Sequence, residues 1–268
     1  MKRPVIIILA MLFLMDWAVY TQSIKPLVVS TLKPATLGKA LFGGQFNGNV
    51  TEWKPSKNTR KGTTFYHIEK VSTHQDSVFY FNHKAVVCFY SSFEYFNYKP
   101  SDFTDSFGKY MISLAIFQKL PNGQWQLENF EKELTFFSDI NRMTPIFKLI
   151  QIGSKRWAVR LFTEEMHQGI GFGSAELYEI SGGATPIHKI FSYATYEGGS
   201  SEFDGSNAYL KEHFLGFDPN KEDNHGYYVM KLVFLNDNGR KKKQQTQFLH
   251  YNVSKKSYPK SPFEFFFK

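Results

Sequence analysis

The chain has 268 residues, 42% of them apolar and 18% aromatic, with 28 Phe and 15 Tyr, and it carries a net charge of +8. That apolar content excludes a disordered chain, and a single cysteine excludes a disulfide-held scaffold. A basic balance suits nucleic acid, anionic lipid or an acidic protein, and the first segment of the chain narrows that choice.

Lys2 and Arg3 precede an unbroken apolar run of 11 residues, Val5 to Met15. A membrane-spanning helix needs roughly 20 such residues, and Asp16 interrupts any extension of this run. A charged start, a short apolar run and a polar exit through Tyr20–Ser23 make the layout of a secretory signal. Residues 1–23 are therefore read as a signal peptide cut after Ser23, and 24–268 as a single all-β domain. The expected location is extracytoplasmic, periplasmic or secreted, with membrane contact only through the signal segment during export. Nucleic acid is set aside for an exported chain, and the basic surface is assigned to a protein partner.

Ile24 to Gly62 is richer in Gly, Lys and Thr and reads as a lead-in or an edge piece of a sheet. Candidate strands follow at Thr63–His67, Ser77–Phe81, Ala85–Ser91, Lys109–Phe117 and Trp125–Leu127. Phe130–Phe137 is the best helix candidate. Further strands are expected at Phe147–Ile152, Trp157–Phe162, Ala175–Ile180, Ile187–Tyr193, Tyr227–Leu235 and Gln245–Val253. Gly, Pro and Asn clusters part them, among them Pro121-Asn122-Gly123, Gly153-Ser154, Ser181-Gly182-Gly183, Gly198-Gly199 and Asn238-Gly239. Short strands between turn signals predict antiparallel sheets, in an irregular propeller-like fold or a large β-sandwich. Gly108–Phe117 resembles Gly226–Leu235, 118 residues on, and each precedes an Asn-Gly turn. Both read as the first arm of a hairpin.

Cys88 sits in the apolar run Ala85–Tyr90 and is expected to behave as a small buried hydrophobe. Glu164-Glu165-Met166-His167-Gln168 leads into Gly169, Gly171 and Gly173. A phosphate-cradling glycine run needs a helix after it, and a strand is expected here instead. Met166, His167, Gln168, Gly169 and Gly171 are therefore the candidate binding loop. Asp218, Asn220 and Glu222 place oxygens at alternate positions, a weak candidate calcium loop, with Pro219 and Asp223 departing from the usual pattern. No other cofactor is expected. The histidines show no zinc spacing, and no nucleophile elbow occurs.

Arg240–Lys243 follows Asn236–Gly239 and reads as a solvated hairpin tip. Asn49-Val50-Thr51 and Asn252-Val253-Ser254 fit the N-glycosylation sequon. Tyr95–Tyr98 and Phe263–Phe267 concentrate aromatics, which suit core packing or an exposed recognition patch. A membrane barrel ending in that aromatic strand must accommodate Pro259, Pro262 and Lys268, and the strands lack its clean alternation.

The function expected from these features is an exported, non-catalytic binding protein, most specifically a cell-envelope inhibitor or immunity protein that neutralises a partner protein. The alternatives are a cell-envelope hydrolase acting on polysaccharide or lipid through Glu164, Glu176 or Asp204, and a surface structural or adhesion protein.

Overall fold

The computed structural model describes residues 26–54, 68–95, 108–139, 144–167, 170–180, 187–198, 209–237 and 242–260. The expected signal segment, strand Thr63–His67, Asp204 and the Phe263–Phe267 run lie outside them, as do Gln168 and Gly169. Among the described residues no helix is long and apolar enough to cross a membrane.

The described chain is nearly all antiparallel β-structure, in two seven-stranded sheets. The first holds β1 (Val28–Val29), β2 (Gln45–Asn47), β3 (Val50–Trp53), β4 (Ile68–Phe81), β5 (Lys84–Tyr95), β6 (Gly108–Lys119) and β7 (Trp125–Asp139). Its order is β1-β7-β6-β5-β4-β3-β2. The second holds β8 (Ile146–Gly153), β9 (Arg156–His167), β10 (Ile170–Glu179), β11 (His188–Gly198), β12 (Tyr209–Glu222), β13 (Tyr228–Asp237) and β14 (Lys242–Leu249), paired in plain succession. Between β1 and β2 lies one helical stretch, α1 (Pro34–Leu37), which opens on Pro and runs into a π-helical turn over Gly38–Phe42. The lead-in is thus an edge piece of the first sheet together with this helix.

Two readings of the sequence are corrected by the strands themselves. Phe130–Phe137 is not a helix but part of β7, paired with β6 on either side of an irregularity at 132–134. The ladder slips between Ile116/Phe117 and between Ile112/Leu114, so β7 carries extra residues there. As a result Leu127 and Phe130, three apart, pack on the same core cluster. Bulges therefore wrote a helical spacing into a strand. The strands are also longer than expected. β4 to β7 have 12 to 15 residues each, against a usual five or six or so.

Alternation along the strands divides the core into three layers. In β5, Ala85, Val87 and Phe89 face one cluster while Val86 and Cys88 face another. In β9 and β10, Ala158, Ala175 and Leu177 face one way and Val159, Leu161 and Tyr178 the other. The middle layer joins Phe81, Val86, Cys88, Ile112, Leu114 and Ile116 to Phe147, Val159, Leu161, Tyr178, Ile180 and Ile187, so the sheets pack face to face through it. Cys88 is wholly buried there, as its apolar neighbours predict, and burial pushes its thiol well above its ordinary value.

Each sheet curls about its outer layer. The Phe42 ring touches Trp53 of β3, Phe89 of β5 and Phe130 of β7, with centroids 5.3–5.7 Å away. In a flat sheet β3 and β7 would stand four spacings, roughly 19 Å, apart. The first sheet is therefore a half-barrel wrapped on the π-helical turn. In the second sheet the end of β8 meets the β12–β13 turn, again four strands along. A side chain at Gly153 would overlap the Gly226 carbonyl, and Gly226 itself has φ +79°. The chain after β14 fills this second curl. Tyr258 donates its N–H to Ile190 O (2.8 Å) and its hydroxyl to Tyr228 O (2.7 Å), and its ring meets Phe217 and Tyr251.

The similar segments now have a structural counterpart. Gly108–Phe117 lies in β6 and most of Gly226–Leu235 in β13, the next-to-last strand of each meander, and each is the first arm of a hairpin. Sheets of seven strands are not the four-stranded blades of a propeller.

Candidate functional site

The two sheets have like ends together. Phe81, before the two-residue turn from β4 to β5, packs on Trp157 at the start of β9, with ring centroids 5.7 Å apart. At this end the turns 82–83, 120–124, 154–155 and 223–227 are short, and the connection 180–187 between β10 and β11 also lies here. At the other end lie the strand termini that flank residues 55–67, 96–107, 140–143, 168–169, 199–208 and 238–241.

The tight end of the second sheet holds a polar constellation. Glu179, at the close of β10, is the one buried charged side chain among the described residues, 3% exposed. Its Oε1 accepts from Arg156 Nη1 at 2.8 Å and its Oε2 from the Tyr227 hydroxyl at 2.9 Å. His188 Nε2 stands 3.6 Å from Oε2. Arg156 also donates from Nε to His225 O (3.2 Å), and its guanidinium lies 4.1 Å over the Tyr227 ring. Tyr251 stacks on the other side of the hub, 3.6 Å and 10° from Tyr227. Burial, then hydrogen bonding to Tyr251 and the Glu179 charge, pushes the Tyr227 phenol far above its ordinary value. Nearby, Glu222 Oε1 accepts the Ser154 N–H at 2.8 Å, and this bond with the Ser154 hydroxyl holds Glu222 below its ordinary range.

The arrangement ties five pieces of chain: the β8–β9 turn, the ends of β10 and β11, the β12–β13 turn and the tail. A general base needs an acceptor open toward substrate. Glu179 is covered, with Arg156 and Tyr227 on its two oxygens, so the geometry is that of a staple across the curl. Its members are 71 positions apart from Arg156 to Tyr227, and no local pattern marks them. The one sequence signal was the turn chemistry around Gly226.

The calcium candidate lies beside this staple. Asp218, Asn220 and Glu222 occupy the irregular end of β12, where Asp218 pairs with Val229 and Glu222 with Tyr228, so 219–221 stand outside the ladder. Asp218 Oδ1 accepts the Asn220 N–H at 3.0 Å and its Oδ2 stands 3.6 Å from Lys221 Nζ. Glu222 turns instead to Ser154. Among the described residues no three His, Cys, Asp or Glu side chains gather around a common point.

The candidate binding loop is at the opposite end. Met166 pairs with Gly171 and His167 with Ile170, which leaves only Gln168 and Gly169 between the strands. Glu164 lies in the same ladder, opposite Gly173. Glu176, the other carboxylate considered for hydrolysis, accepts from Tyr178 and from Lys189 Nζ (2.7 Å). The same end of the molecule receives Asp237 and its partner Lys242, which belongs to the basic run Arg240–Lys243. Topology thus brings to one end the Met166–Gly171 hairpin, the strand ends that flank residues 199–208, and those that flank residues 238–241.

No protein-family model matches this chain, and neither a curated protein nor a solved structure matches it.

Proposed function

We propose that the chain is an exported, non-catalytic protein that binds another protein through the end of the molecule opposite the staple. A cell-envelope inhibitor or immunity protein that neutralises its partner is the specific form of this reading. The observation that carries it is the division of labour between the ends. Four short turns and a buried polar staple lie at one end, together with the connection 180–187, while the three longest hairpin connections, 54–67, 96–107 and 199–208, begin and finish at the other. Binding residues concentrate on loops held by a rigid scaffold. The strand ends and connections on that side include Tyr95–Tyr98, Met166-His167-Gln168 and Arg240–Lys243, and aromatic residues, Met and Arg are the types enriched at protein interfaces. The net charge of +8 also favours an acidic partner and quickens encounter with it.

The test is capture of the full chain, after its natural processing, from the envelope fraction of its own cells, in parallel with M166A/H167A and with R156M. A single stoichiometric partner lost by M166A/H167A and kept by R156M is the expected result. A partner lost by R156M alone would move the binding surface to the stapled end. No stoichiometric partner for any form would overturn the reading.

A further inference from the structure

Resting on the export part of that reading, we propose that Asn49 and Asn252 are N-glycosylated, and that the two glycans cover the open edge strands β2 and β14. Both sequon asparagines stand in turns at the surface. Asn49 lies in the connection between β2 and β3, beyond the pair Asn47–Val50, and is exposed. Asn252 lies three residues past β14, in a turn closed by the pair Asn252–Ser257, and is exposed with Val253 and Ser254.

The side-chain atoms are set for the chemistry. The Asn252 carbonyl oxygen accepts the Lys255 N–H at 2.9 Å. That bond fixes the amide by its oxygen and leaves Nδ2, the atom that takes the sugar, toward solvent. In the transfer, Nδ2 bonds to the anomeric carbon of a lipid-linked oligosaccharide. The anomeric C–O bond breaks, the polyprenyl pyrophosphate leaves with its electron pair, and the amide gives up one proton. The Ser254 hydroxyl is exposed, so this site stays accessible after folding. Thr51 is 4% exposed and packs against Gly38. Transfer at Asn49 therefore precedes the seating of α1 on β3.

The placement gives the glycans a purpose. β2 ends the first sheet and β14 the second. Exposed edge strands invite pairing between molecules unless something blunts them. Beside these edges stand three of the large apolar side chains that the described surface exposes: Phe46 at 38%, Phe248 at 50% and Val253 at 45%. A branched glycan on each turn covers edge and apolar residues together.

The experiment is translation of the full chain with endoplasmic-reticulum microsomes, read by protease protection and by mobility before and after an amidase that removes N-glycans. The expected chain is protected and shows two mobility steps, both removed by the amidase. N49Q and S254A each abolish one step, S254A leaving the Asn252 turn intact. A protected chain of unchanged mobility overturns the glycan proposal and leaves export standing. An unprotected chain overturns both. On the secreted folded protein, amidase treatment should raise self-association in sedimentation velocity, and an unaltered monomer would overturn the shielding role.

Discussion

Removing the Glu179 carboxylate would leave Arg156 and the Tyr227 hydroxyl without the acceptor that gathers them. Breaking a buried ion pair from one side costs about 3–5 kcal/mol. Arg156 is a third exposed and Glu179 almost wholly buried, so water relieves part of the loss. Glu179→Ala should destabilise the protein by about 3 kcal/mol in urea unfolding, and a loss below about 0.5 kcal/mol would show that the staple carries little. Glu222 acts on a different axis. Its folded-state value is held below 4.5 by Ser154, so its contribution is present above that pH and is lost as the pH falls through the depressed value. Thermal melts between pH 7 and pH 3 should therefore show a shallower acid decline in Glu222→Gln, which keeps an acceptor for Ser154 but cannot titrate. Parallel declines would remove Glu222 from the account. Neither Glu179 nor its partners Arg156 and Tyr227 were legible as a site beforehand. The sequence singles out Glu222 only as a calcium candidate. It marks turns and apolar alternation, whereas a staple assembled from positions 156, 179, 188 and 227 exists only once the sheet has curled.

Elements were legible where alternation was clean and misread where bulges broke it. β5 and β6 place buried residues strictly on two faces and match the expected strands closely. β7 hid behind its extra residues, and β12 hid because Asp218–Glu222 resembles an ion-binding loop while Pro219 stands where the ladder is interrupted. The tail after β14 carries no strand pattern, yet it fills a curl. Tyr258 is 3% exposed and joins β11 to β13 by hydrogen bonds. Tyr258→Ala should cost about 3 kcal/mol and raise binding of an apolar dye, because the concave face of the second sheet loses its filling. Alkali should act in the same place. Burial holds the Tyr258 and Tyr227 phenols well above their ordinary value of 10.0. Stability from their neutral forms is complete below that value and drains away as the pH rises above it. Tail release detected by limited proteolysis should begin above pH 10 in wild type and at a higher pH in Tyr258→Phe, which cannot ionise there. Release of both at neutral pH would contradict this seating.

At the scale of the molecule, the two half-barrels repeat one plan: a meander of long strands, curled so that strands four apart meet, with its hollow filled by a piece of chain from outside the meander. Neither hollow is shared, but the backs of the sheets are, through the middle core layer. Fully burying an aliphatic side chain contributes about 1.5–3 kcal/mol, and residues from both sheets draw on that one layer. Were either sheet to unfold alone, Ile116, Leu114 and Cys88 on one side, or Val159, Leu161 and Ile180 on the other, would be left facing water. The sheets should therefore unfold together. Ile116 is wholly buried there, and Ile116→Ala should lower stability by about 3 kcal/mol while calorimetry still shows one transition. Probes placed in each sheet, Trp53 fluorescence in the first and Trp157 in the second, should report the same midpoint before and after the change. Two separated midpoints would mean that each half-barrel stands on its own filling, with the middle layer only a contact between them.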